Sequence, residues 1–113
     1  NSRRQETDLN TGTVHLHIED DFGKVKDAEH GLIAGSIARE HWQIHPDDPL
    51  SARGTCHWTD ELERDTHKLR TETYCEMWSD RTHFYLSARI EAFEDGNLIY
   101  ERSLSDEILR NGI

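Results

Sequence analysis

Apolar and polar residues alternate with a period of two along most of this chain, and the clearest stretch runs from His83 to Ala92. Phe84, Leu86, Ala88, Ile90 and Ala92 alternate there with His83, Tyr85, Ser87, Arg89 and Glu91. Successive side chains of a strand point to opposite faces, so the pattern predicts a strand with one apolar and one polar face. Ala52, Gly54, Cys56 and Trp58 repeat it, as do Leu69, Thr71, Thr73, Cys75 and Met77, on either side of a turn at Arg64-Asp65-Thr66. Upstream, Val14, Leu16 and Ile18 alternate with His15, His17 and Glu19. Asp20 to His30 is charged and contains Gly23, which suits a loop or a weak edge segment. The run from Gly31 to His45 holds Leu32, Ile33, Ala34, Ile37 and Ala38, a spacing that a helix also explains. Gly35 within it, and the alternation of Trp42 with Ile44, favour a strand with a bulge. Pro46-Asp47-Asp48-Pro49 reads as a compact turn, because proline fixes φ and aspartate side chains bond to nearby backbone amides.

Register follows from keeping the less polar positions on one face, since a slip of one residue inverts every side chain. With Asp80-Arg81 as a two-residue turn, Met77 faces Phe84, Cys75 faces Leu86, Thr73 faces Ala88, Thr71 faces Ile90 and Leu69 faces Ala92. A three-residue loop at Glu94-Asp95-Gly96 sets Ala92 against Leu98 and Ile90 against Tyr100. A loop at Asp65-Thr66 sets Cys56 opposite Cys75, Trp58 opposite Thr73 and Leu62 opposite Leu69. The predicted fold is mainly β: a single antiparallel up-and-down sheet, a meander open to curving into a half-barrel or a sandwich. It occupies 13–103, with 1–12 as a lead-in or linker and 104–113 as a C-terminal tail.

The 113 residues suit one domain with one modest core. Lys and Arg number 13 against 23 Asp and Glu, a formal charge of -10, which repels a phosphate backbone or an anionic membrane surface. No apolar run approaches the roughly 20 residues of a membrane-spanning helix. Neither nucleic acid nor membrane is therefore an expected partner. Two cysteines, Cys56 and Cys75, are too few for a disulfide-stapled scaffold and lack paired zinc spacing. They read as ordinary core-face thiols in a reducing cytoplasm, with a cross-strand disulfide as the alternative that the register allows.

Candidate chemistry is sparse. His15-x-His17 puts two imidazoles on one face of a strand, half of a tetrahedral metal site; spacing specifies no third ligand, so neither a metal nor another cofactor is expected, and a metal-dependent enzyme on this pair is a third reading that needs a carboxylate or His to converge on it. Ser36, Ser51, Ser79, Ser87, Ser103 and Ser105 all lie outside a Gly-x-Ser-x-Gly elbow, and Asp65 with His67 makes no triad without a nucleophile. Carboxylates such as Glu61, Glu63, Asp106 and Glu107 read as solvated surface charge. Trp58 falls on the less polar face and Trp78 on the other. Large aromatics on both faces suggest that one face packs on another domain or copy, and Tyr74, Trp78, Tyr85 and Phe93 are the candidate interface. The alternative is a free-standing cup that binds a small apolar ligand against Trp58, Met77, Phe84, Leu86 and Ile90.

Several segments carry a family resemblance. Asp21-Phe22-Gly23, His30-Gly31-Leu32 and Ile44-His45-Pro46-Asp47-Asp48-Pro49-Leu50-Ser51-Ala52-Arg53-Gly54 are followed by Thr71-Glu72-Thr73, Thr82-His83-Phe84 and Ala88-Arg89-Ile90-Glu91-Ala92. Together they resemble the C-terminal end of CocE/NonD hydrolases, α/β-hydrolases related to X-Pro dipeptidyl-peptidases and cocaine esterase. The similarity spans most of 21–103. In that family the serine nucleophile, Asp and His belong to the α/β-hydrolase domain, so the resemblance implies no catalytic residue here. It implies a non-catalytic accessory β-domain that packs on the hydrolase body of the same parent protein, shapes access to its acyl or peptide site, or supports a homo-oligomer.

Overall fold

In the computed structural model, which describes residues 1–111, the chain forms seven strands. They are β1 (Ser2–Thr7), β2 (Val14–Lys26), β3 (Ile33–His45), β4 (Asp48–Arg64), β5 (His67–Ser79), β6 (His83–Glu94) and β7 (Asn97–Leu109). The order in space is the order in sequence, all neighbours are antiparallel, and the sheet is a single open layer. The meander expected from the alternation is thus the architecture. Among the described residues no helix is long and apolar enough to cross a membrane.

The turns set the registers. Arg64 pairs with His67 across Asp65-Thr66, which brings Cys56 opposite Cys75, Trp58 opposite Thr73 and Leu62 opposite Leu69, as expected. Both cysteines are free thiols. Between β5 and β6 the expected register is off by two residues: Met77 pairs with Leu86 and Cys75 with Ala88. The cause is Asp80, whose Oδ1 accepts hydrogen bonds from the Thr82 and His83 amides and whose Oδ2 accepts one from the Tyr85 hydroxyl. This closes a longer loop than Asp80-Arg81 alone. An even shift leaves every side chain on its expected face. At the next turn Asp95 (φ 49°) and Gly96 (φ 85°) occupy the two left-handed positions of a two-residue hairpin between Glu94 and Asn97. An irregularity past Leu98 then pairs Ala92 with Tyr100, where Leu98 was expected.

Three segments differ from the sequence expectation. Ser2–Thr7, read as lead-in, pairs with β2 along its whole length, and β7 continues through the expected tail to Leu109. The bulge anticipated near Gly35 lies on the facing strand, where Phe22 and Gly23 together oppose Ser36. The modest core is not there: among the described residues Ala38 is the one buried apolar side chain. A single layer has no second element against which to bury a face.

One close approach depends on glycine. The Trp42 ring lies over its cross-strand partner Gly54, and a Cβ there would sit 2.5 Å from Cζ3 and 2.7 Å from Cε3. Gly54→Ala is expected to push the indole off the strand, lowering stability by about 1 kcal/mol once the better strand propensity of alanine is counted. A urea midpoint equal to that of the unaltered chain would refute this.

Candidate functional site: a charged basin and an uncovered apolar face

Pairing lines the side chains up in rows across the sheet. On one face the central rows are charged or polar: Glu19, Arg39, His57, Tyr74, Arg89 and Ser103 form one, and His17, His41, Thr55, Glu76, Ser87 and Ser105 the next. This face curls into a basin of about 840 Å³ lined from Arg4 on β1 to Ser105 on β7. Lys24 Nζ lies 3.0 Å from Glu63 and 3.5 Å from Glu61, and Lys68 Nζ lies 3.5 Å from Glu61. Arg89 Nη2 bridges Glu91 and Glu101 at 3.1 and 2.8 Å, and Arg53 pairs with Glu76.

At the centre of this face stands Glu72, 7% exposed, beside Thr59, 8% exposed. Glu72 Oε2 accepts from Thr59 Oγ1 at 2.7 Å and from His57 Nε2 at 2.5 Å, and Oε1 accepts from Arg70 Nη1 at 2.6 Å. Burial works to raise the Glu72 pKa, but the hydrogen bonds from Thr59, His57 and Arg70 outweigh it and hold the carboxyl below its ordinary value. Arg39 Nη1 donates to the other ring nitrogen of His57, at 3.5 Å. The His57-Glu72 pair ties β4 to β5.

The four aromatic residues expected to form an interface all lie on this face and are engaged within it. Tyr74 stacks on His57 at 4.4 Å, Trp78 on Tyr85 at 5.5 Å, and Arg70 sits over the Phe93 ring at 4.1 Å. The more extensive apolar surface is on the opposite face. There Trp42, Trp58, Met77, Leu86, Leu104 and Ile108 are 36–50% exposed, although they lie within strands. Trp58, Met77, Phe84, Leu86 and Ile90, the candidate ligand set, share that face. Only Met77 and Phe84 of the five line its apolar hollow of about 480 Å³, with Val14, Leu16, Trp42 and Ile44.

The edge of the basin holds a group that sequence spacing did not reveal. His17 pairs with His41, and their rings stack in parallel at 4.4 Å. His15 Nδ1 lies 2.9 Å from His41 Nε2, and Glu6 Oε1 lies 3.0 Å from His17 Nε2. Desolvation, then the neighbouring His17 and His15, push the His41 pKa down. The third imidazole that His15 and His17 lacked is thus present, delivered by a pairing 26 residues distant from His15. No family model, curated protein or solved structure matches the chain.

Proposed function

We propose that this chain is a non-catalytic accessory β layer of an acyl-ester or amide hydrolase of the X-Pro dipeptidyl-peptidase type. It docks through its apolar face on the hydrolase body and shapes access to that body's site. The observation that carries this reading is the uncovered apolar face, which runs from Trp42 on β3 to Ile108 on β7 with no second layer over it among the described residues. Burying apolar surface is worth about 25 cal/mol per Å², so a sheet in this state gains most of its remaining stability from a partner. The choice of a hydrolase body as the partner rests on the resemblance over most of 21–103. The free thiols of Cys56 and Cys75 suit a reducing, cytoplasmic setting.

The isolated chain is expected to be silent toward activated esters and aminoacyl-proline amides, and its reading frame to encode a Gly-x-Ser-x-Gly element on a strand-to-helix turn. Turnover abolished by replacing one serine with alanine would make the chain an enzyme in its own right. A reading frame without such an element would remove the hydrolase body from the proposal.

A further inference from the structure

We infer that His15, His17 and His41 form a binding site for a divalent transition-metal ion of the zinc class, with the Glu6 carboxylate as fourth ligand. One donor nitrogen from each histidine lies within 4.8 Å of the other two. The donors come from two paired strands, and Glu6, on β1 opposite His15, contacts His17 and lies beside the group, close enough to close on an ion once it binds. Backbone hydrogen bonding between β2 and β3 sets the three histidines side by side before any ion arrives, which is the preorganisation a metal site requires.

The donor set selects the ion. Three imidazoles and a carboxylate match the nitrogen-rich, four-coordinate sites of zinc, cobalt, nickel or copper, and not the all-oxygen shells of calcium or magnesium. Zinc–nitrogen bonds of about 2.0 Å place tetrahedral donors about 3.3 Å apart. The widest of the three separations, at most 4.8 Å, must close by up to about 1.5 Å and the His15–His41 pair must part slightly, movements that rotations of half-exposed rings supply. His15 and His41 already stand at 2.9 Å and the Glu6 oxygen is 3.0 Å from His17. Without an ion, three imidazoles stacked at this spacing offer one another little: one nitrogen–nitrogen hydrogen bond, and mutual repulsion whenever two are charged. The formal charge of -10 favours a cation at the site over the whole surface field.

The test is titration of the 113-residue chain with cobalt(II) and then zinc(II), followed by calorimetry and visible absorption. One equivalent is expected, with the ligand-field bands of tetrahedral cobalt lost on adding zinc. His41→Gln and the double variant His15→Gln, His17→Gln should each weaken zinc at least about 100-fold, and Glu6→Gln about 10-fold. His30→Gln, on an exposed loop, should leave the isotherm unchanged. Imidazole proton shifts in the unaltered chain read the ligands independently of any effect of substitution on folding. Shifts confined to His15, His17 and His41 support the site. Less than half an equivalent, an unchanged isotherm for His41→Gln, or shifts at His30, His67 or His83 instead would overturn it.

Discussion

A chain carrying Met77→Lys together with Leu86→Lys is expected to run as a 13.2 kDa monomer in solution, whereas the unaltered chain runs as a larger species. The two residues are cross-strand partners at the middle of the apolar face, beside Gly54 and the Trp42 that lies over it. They are 45% and 36% exposed, so lysine stems fit there and the ammonium groups reach water. The fold should lose at most about 1 kcal/mol through the lower strand propensity of lysine. An association that buries this face, in contrast, would have to desolvate two charges. Central interface positions are commonly worth 2 kcal/mol or more, so the pair should lower the association constant by about 1000-fold. Light scattering at matched concentrations decides the matter. The mirror experiment places Trp78→Lys and Tyr85→Lys on the charged face and should leave the mass as in the unaltered chain. If that pair disperses the assembly and the first does not, the aromatic residues of the charged face are the docking surface.

Glu72→Ala is expected to destabilise the sheet by about 3 kcal/mol, a large part of the 5–15 kcal/mol typical of a domain. Three donors converge on this carboxylate, and removal leaves the Thr59 hydroxyl and the Arg70 guanidinium without it at a buried point of the charged face. Leaving such groups unpaired costs about 1–3 kcal/mol apiece when they are buried. Acid should reveal the same link. A carboxyl held below its ordinary pKa in the folded state stabilises fully above the unfolded value of about 4.3 and loses that contribution as pH falls through its folded value. Asp80, held low by the Tyr85 hydroxyl and the Thr82 and His83 amides, behaves likewise. The unaltered chain should therefore weaken steadily below about pH 4.3, and Glu72→Ala should show a shallower fall, retaining the part due to Asp80. Urea midpoints measured from pH 7 to pH 3 that run parallel for the two proteins would show that Glu72 carries none of it.

The strands from Val14 to Ala92 were legible because each has a less polar side, and period two survives errors of turn length. That is why Cys75 and Met77 sit on the expected face although their partners moved by two residues. The loop at Asp80 escaped because its length is dictated by a carboxylate that gathers two amides and a hydroxyl, a property of three-dimensional closure. β1 left no apolar trace: Ser2 to Thr7 is polar on both sides and pairs through its backbone. In β7, Leu104 and Ile108 did keep the alternation, but Ser105, Asp106 and Glu107 between them read as a tail. His41 joins His15 and His17 only once the β2–β3 register is known, and the charged stretch between Asp20 and His30 hides that register. The assumption of a core failed for a different reason. Alternation reports that one side of a strand is apolar, and says nothing about whether the same chain covers it.

In its backbone pairing each strand of the meander meets only the strands before and after it in sequence, and side chains reach one strand further where Lys24 of β2 meets Glu61 and Glu63 of β4. The molecule is in this respect a row of tiles joined edge to edge. Its free energy is close to a sum of hairpin terms, each local along the chain, and opening at either end leaves the remaining ladders intact. Local pairing makes such a sheet quick to zip up and equally ready to fray from β1 or β7 inward. A surface laid across Trp42, Met77, Leu86 and Ile108 would touch several tiles at once. Docking would thus do more than hide apolar area: it would couple strands that do not meet one another and turn a row of separable hairpins into one cooperative unit.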